Sequence, residues 1–347
     1  MASNNSSVYN NSHISGQDIA FAVMYSFIVI IGVPANCMIV TIVRKTPSRH
    51  TTTNYLLMNL AVADLTTLLL CPGMYDFSLN KMRLDKMLGE FLCKFFVGNA
   101  LVPIAINIGA LTVCTLAVKR YLALVKPFNT EIILAKRRVP HVVAFLWVFA
   151  VLSCIPDFMT NTIEPDRRSI YPCKRPWSLD EYFRHKGFII YTGVFFGIIP
   201  CMLVCFCYFK TFRELFSTNT ICPTPTSGPS SKALSDERSK KQVFKLLVSL
   251  TMLFIVCTLP FSCFFIYLTA IDKTSVADSL EVLYFAHRTV RFLLNANSFF
   301  NPLLCAFQSS NYRKRFKRIF CCKGSTGNND VRTAGVPQEP ANVHENE

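Results

Sequence analysis

Charge is what this chain has little of. Only 16% of its 347 residues are Asp, Glu, Lys or Arg, while 51% are apolar. A soluble chain of this length would carry about a quarter charged residues and divide into two or so domains. The shortage is local, because charged loops alternate with long stretches that hold no charge. That pattern excludes a soluble enzyme, a disordered chain and a collagen-like fibre. Catalytic constellations are missing too. His13, His50, His141, His185, His287 and His344 are dispersed and show no metal-ligand spacing. There is no Gly-rich phosphate loop and no nucleophile elbow. The 15 cysteines are scattered, many inside apolar runs, unlike the dense framework of a small secreted domain. Acids are the scarcer sign, 21 against 36 Lys and Arg. In a soluble chain that balance would suggest nucleic acid, so its distribution has to be read first.

What is present is a set of spans. Residues 19–43, 95–118, 139–156, 187–209, 246–271 and 292–312 hold no Asp, Glu, Lys or Arg. A seventh run, 51–75, is broken by one charge, Asp64. Crossing ~30 Å of hydrocarbon takes about 20 helical residues, and the runs match or approach that. One such run fits a buried core helix; seven fit a membrane bundle. They are continuously apolar without two-residue alternation, so they read as helices and not barrel strands. A helix pairs every backbone polar group within its own segment, which lipid demands. Pro34, Pro103, Pro200, Pro260 and Pro302 lie inside runs, where each deletes a backbone hydrogen bond and kinks its helix.

Loop charge orients the bundle. With sides alternating, 23 Lys and Arg and a net charge of +15 fall on one side; the other side holds 13 and nets +1. The positive-inside rule makes the first side cytoplasmic and the amino terminus extracellular. The basic excess then serves topology and attracts anionic inner-leaflet lipid, and nucleic acid is not needed to explain it. The sequons at Asn4, Asn5 and Asn10 precede the first span and are glycosylation acceptors on the expected outer side.

Single landmarks fall one per span. The first has Gly32-Val-Pro-Ala-Asn36, and the second Asn59-Leu-Ala-Val-Ala-Asp64. The third ends in Lys119-Arg120-Tyr121 before Pro127; the fourth has Trp147 and Pro156; the fifth has Pro200 and then Tyr208. The sixth has Phe254 and Cys257-Thr258-Leu259-Pro260, and the seventh Asn297-Ser298 and Asn301-Pro302. Taken in order, they resemble the rhodopsin-like (class A) G-protein-coupled receptors, from about Phe21 to Cys322, and most of all the neuropeptide-receptor branch. The fold expected is an all-α bundle of seven transmembrane helices over 19–312. An extracellular segment 1–18 precedes it, and an amphipathic cytoplasmic helix 313–322 and a disordered tail 323–347 follow.

The resemblance assigns roles. Arg120 is the expected signalling residue, released on activation toward Tyr208 and the G protein. Tyr121, Phe254, Pro260, Asn301 and Pro302 complete the switch. Three positions depart from the family: Lys119 replaces an acid, Thr258 an aromatic and Cys305 a Tyr. Two adjacent cations repel, so a shifted resting equilibrium is expected, with raised basal activity or weakened coupling. Asp64 must face the interior, since an ionised Asp at mid-bilayer costs about 3 kcal/mol or more unless solvated or paired. With Asn36, Asn297, Ser298 and Asn301 it forms either a packing network or a site for an allosteric sodium ion. Gly109 stands where the family often has Ser, one ligand fewer. No other cofactor is expected.

Cys93 and Cys173 are the outer disulfide that the resemblance implies. Cys93 lies two residues farther from Arg120 than the family usually shows, which a bulge near Pro103 would absorb. Beyond the seventh span, Tyr312, Phe316, Ile319 and Phe320 recur at helical spacing among basic residues, as suits the inner leaflet. Cys321 and Cys322 follow as palmitoylation candidates. Loop 217–239 is Pro-, Ser- and Thr-rich and reads as disordered.

The seventh span lacks the Lys an opsin needs, and the third has no acid between Phe95 and Val118 to anchor an amine. A peptide, a lipid or a small acid remains as ligand. Tyr75, Thr192, Phe261, Phe265, His287 and Arg291 are the expected pocket lining; Arg291 would pair either with an acidic ligand group or with Asp76. The expected partners are a peptide-like extracellular ligand, a heterotrimeric G protein, arrestin and membrane lipid. A transporter and a non-signalling seven-helix receptor are the competing readings. The expected location is the plasma membrane, and no enzymatic activity is expected.

Overall fold

The structure, a computed structural model, describes residues 16–45, 51–70, 87, 91, 101–125, 135–156, 186–217, 231–308 and 313. The glycosylation acceptors Asn4, Asn5 and Asn10, the pocket candidate Tyr75 and Asp76 lie outside them. So do Cys93, Cys173, the candidate lipidation sites Cys321 and Cys322, and nearly all of the expected 313–322 helix.

Among the described residues, seven principal helices carry the chain. They are α1 (Gly16–Lys45), α2 (Thr52–Leu69), α3 (Leu101–Val125) and α4 (Val139–Ser153). Helix α5 is continuous from Lys186–Gly193 through a π-helical turn Val194–Ile198 into Ile199–Ser217. Helix α6 is Ser231–Ala270, and α7 is Leu280–Gln308, reached through a short turn of helix Lys273–Asp278. Among the described residues, four segments are long and apolar enough to cross a membrane: Gly16–Lys45, Leu101–Ala123, Lys186–Glu214 and Phe244–Ala270.

Local chemistry sets several boundaries. Thr51 caps α2 by accepting the Asn54 N–H at 3.3 Å. Helix α4 starts behind a 3-10 turn, Lys136–Arg138, with Pro140 in its first turn, where a missing N–H costs nothing. Hydroxyls inside the spans bond back to the carbonyl four residues earlier, as Thr67 does to Ala63 at 3.1 Å and Thr211 to Cys207 at 2.7 Å. A polar side chain is thereby satisfied without water.

Two boundaries differ from the apolar runs. Helix α6 begins at Ser231, inside the stretch 217–239 read as disordered, because residues from Lys232 to Lys241 are mostly helix formers once Pro229 is passed. Helix α7 begins at Leu280, well outside 292–312, because Glu281, Arg288 and Arg291 interrupt the apolar run without interrupting the helix. From Leu101 onward α3 is an unbroken α-helix through Pro103, so the bulge expected there is not among the described residues. The π-helical turn sits on α5 instead, just before Pro200.

Burial runs inside out relative to a soluble protein. Val23, Ile30, Phe145, Met202, Phe209 and Val256 face outward, each more than half exposed. Asn36, Asp64, Asn295 and Asn301 are buried. Apolar residues outside and amides inside suit a molecule whose surroundings are hydrocarbon.

Helices α1, α2 and α7 pack together, α3 runs through the centre against α2, α4 and α5, and α6 lies on α7. At one end, Leu246, Leu247, Leu250, Leu116, Leu56 and Cys305 share a core. In the middle, Phe254 meets Val204 and Cys207. Helices α5 and α6 approach so closely that a Cβ on Gly197 would lie 1.9 Å from the Ser262 hydroxyl.

Candidate functional site

The end of the bundle holding Arg120 is built by α3, α5, α6 and α7. Arg120 is half-buried, near enough to the Tyr208 phenol on α5 for the two to interact electrostatically. Its buried Nε has no hydrogen-bond partner. Tyr208 in turn hydrogen-bonds the Thr251 side chain on α6, and its ring lies 6.1 Å from that of Phe244. Arg120 and Tyr208, the expected partners on activation, are thus neighbours. Tyr121 projects toward α5, its ring 6.2 Å from Phe206.

Lys119 turns away from its neighbour. Its ammonium donates to the Thr53 hydroxyl on α2 at 2.8 Å. The side chain that replaces the family's acid therefore ties α3 to α2. Helix α7 is tied to α6 by a bond from the Gln308 amide to the Ser249 hydroxyl, 2.6 Å long.

Deeper in the bundle, Asn301 donates to Asp64 at 2.9 Å, and Ser298 also bonds the carboxylate. Asn36 donates to the Ser298 and Gly32 carbonyls, both at 3.0 Å. These four expected network members are together. The carbonyl oxygens of Asn36 and Asn297 are buried without partners, as is the Thr258 hydroxyl. A Cβ on Gly109 would meet only Leu60, at 3.7 Å, so the missing Ser is not excluded by space. Phe254 and Cys305 are buried in apolar clusters, Pro260 lies within α6, and Pro302 follows Asn301 on α7.

Three of the expected ligand residues converge at the opposite end. The Phe261 and Phe265 rings are 4.6 Å apart, and the His287 ring is 5.7 Å from Phe265 and 6.2 Å from Phe264. Arg291 and Arg288 lie close enough to His287 to act on it electrostatically. Thr192 does not join this cluster through its hydroxyl, which donates to Phe188 O of its own helix at 3.0 Å.

Sequence reasoning missed several ties. Asn59 accepts from the Trp147 indole at 3.0 Å and donates to Thr112 at 2.8 Å, joining α2, α4 and α3. Asp18 pairs with Arg288, whose guanidinium lies over the Phe21 ring at 4.4 Å, joining α1 to α7. Gln308 and Ser249 were also missed.

Comparison with known proteins gives a consistent neighbourhood. The profile of the family described as 7 transmembrane receptor (rhodopsin family) matches residues 35–304. Galanin receptor type 1 of Rattus norvegicus is 27% identical over 305 residues, covering 87% of this chain and 82% of that protein. Somatostatin receptor type 2 of Mus musculus is 24% identical over 323 residues, 93% of this chain and 82% of the relative. The Tachykinin-like peptides receptor 86C of Drosophila melanogaster is 24% identical over 316 residues, 88% of this chain and 59% of the relative.

Proposed function

The chain belongs to the rhodopsin family of seven-transmembrane receptors, and from that premise we propose that it is a peptide receptor acting on a heterotrimeric G protein. The family is one of multi-pass membrane signalling receptors and not of enzymes. The chain therefore passes on a signal without changing a bond in what it detects. The observation that carries the reading is the proximity of Arg120 on α3 to Tyr208 on α5, beside an α6 that meets Tyr208 through Thr251. Relatives named as galanin, somatostatin and tachykinin-like peptide receptors support a peptide as ligand.

The reading places the amino terminus outside the plasma membrane and the Arg120 end in the cytoplasm. The peptide enters at the opposite end, where Phe261, Phe265 and His287 take an aromatic side chain. Arg291 takes a carboxylate, as a charge-assisted bond. The proposed lining also takes in Thr192 and Tyr75, the latter outside the described residues. Binding there shifts the bundle toward a form with an open cytoplasmic cleft. G protein enters that cleft; arrestin and anionic inner-leaflet lipid are further partners of the basic cytoplasmic face. Asp64, Ser298, Asn297, Asn301 and Asn36 hold a sodium ion, which supplies a counter-charge to the buried carboxylate. Cys93–Cys173 is the outer disulfide. Asn4, Asn5 and Asn10 carry glycans, and Cys321 and Cys322 carry palmitate.

A peptide-library screen against cells expressing the full chain and a promiscuous G protein tests the reading, with Arg120→Ala alongside. A peptide that drives exchange through the parent and not through the variant supports it. Silence across all peptides, or an equal response from the variant, overturns it. Lys119, Thr258 and Cys305 favour a second reading, ligand uptake without G-protein response; internalised labelled peptide with no exchange selects that one.

A further inference from the structure

We propose that Ser249 and Gln308 form the latch that holds the cytoplasmic half of α6 closed in the resting receptor. The inference rests on the receptor reading above and adds to it the residues that set the resting equilibrium. Opening a cleft beside Arg120 and Tyr208 requires the cytoplasmic half of α6 to leave its neighbours. Lys119 cannot supply a restraint, because its ammonium is engaged with Thr53 on α2 and bears the same charge as Arg120. Something else must hold α6.

Among the described residues, two polar ties to this part of α6 stand out. One is the Tyr208–Thr251 hydrogen bond, which joins α6 to α5. The other is the Gln308–Ser249 bond, at 2.6 Å, which joins α6 to the last residue of α7. The second is the more strategic of the two. It crosses the seam at which Leu246, Leu247 and Leu250 meet Cys305. Apolar contact of that kind is non-directional and survives sliding, whereas a hydrogen bond fixes one register. The Cys305 thiol, standing where the family has a Tyr hydroxyl, is buried in the same cluster, so the polar fastening lies one turn farther along α7, at Gln308. The remaining oxygen of Gln308 is buried without a partner. The amide is thus held in the seam by a single bond, a fastening strong enough to bias two states and weak enough to release.

Opening breaks the bond and exposes both partners to water at the cytoplasmic mouth. One neutral hydrogen bond sets a bias of about fivefold between closed and open forms. Removing it raises the open-to-closed ratio by about that factor.

The test uses the full-length receptor in nanodiscs, with an environment-sensitive non-natural amino acid at exposed position 245. The native cysteines then stay in place. Ser249→Ala and Gln308→Leu each raise the open fraction of α6 about fivefold without peptide or G protein. The double variant does no more than either single one, and Ser249→Thr, which keeps the hydroxyl, restores the parent distribution. Thermal unfolding of the same samples separates a latch from a packing defect, since a packing role lowers Tm without moving the open fraction. An unchanged open fraction in both single variants, or additive effects in the double variant, overturns the proposal. Because no G protein is present, this result stands apart from failure of the receptor reading, which shows as absent exchange with every peptide.

Discussion

The two ends of the α6–α7 pair are made of different material. In the proposed orientation the outer end is aromatic and cationic, with Phe264 and Phe265 set against His287, beside Phe261, and with Arg288 and Arg291 near that imidazole. The inner end is a leucine seam crossed by one side-chain hydrogen bond, with Arg120 and Tyr208 beside it. Rings and guanidinium groups give a surface able to recognise many side chains through stacking and bidentate bonds. An apolar seam with a single directional tie has little to recognise, but the tie fixes one register between two helices. On the receptor reading proposed above, the difference separates recognition from transmission: variation outside changes what is detected, and variation inside changes how readily detection is reported.

The contrast breaks most readily at Arg120. Arg120→Ala is expected to drop peptide-driven nucleotide exchange to background, while labelled-peptide binding to whole cells persists; loss of both together would merge the two ends. The next effect lies at the joint between them. Gly197→Ala is expected to push α5 from α6, since its Cβ would lie 1.9 Å from the Ser262 hydroxyl. Overpacking of this kind costs about 1–3 kcal/mol. The lower Tm should be recovered by adding Ser262→Gly, read by thermal unfolding in detergent. Gly109→Ser, whose Cβ meets only Leu60 at 3.7 Å, should leave Tm close to the parent value. A smaller shift is expected at Arg291. Arg291→Ala should weaken an acidic peptide by about tenfold, the worth of a charge-assisted bond, and leave its carboxamide analogue nearly unchanged in competition binding. Smallest is Thr192→Val. Its hydroxyl is already spent on Phe188 O, so potency should move less than about twofold, within the few tenths of a kcal/mol of an unremarkable substitution.

Much of this arrangement was legible in the sequence. Uncharged runs long enough for lipid mark the spans, and Asp64 had to face inward, where Asn301 and Ser298 meet it. The placement of Phe261, Phe265 and His287 together also matches the sequence reading. What stayed hidden has two causes. Charge breaks a hydropathy run without breaking a helix, so α7 extends outward to Leu280 past Arg288 and Arg291. Side-chain partners across helices depend on rotation and register, which apolar runs do not encode. Lys119 could be read as a missing restraint, but its bond to Thr53 could not. The same holds for Asp18 with Arg288 and for Gln308 with Ser249.

The tight approach of Gly197 to Ser262 makes α6 an unequal lever. The pivot of such a lever falls at Ser262, two residues past Pro260, where a Cβ on Gly197 would overlap the side chain. From Ser262 the outer arm to Ala270 is about 12 Å long, and the inner arm to Ser231 is about 45 Å, at 1.5 Å per residue. For a rigid rod pivoting at Ser262, one ångström of movement at Ala270 corresponds to roughly four at Ser231.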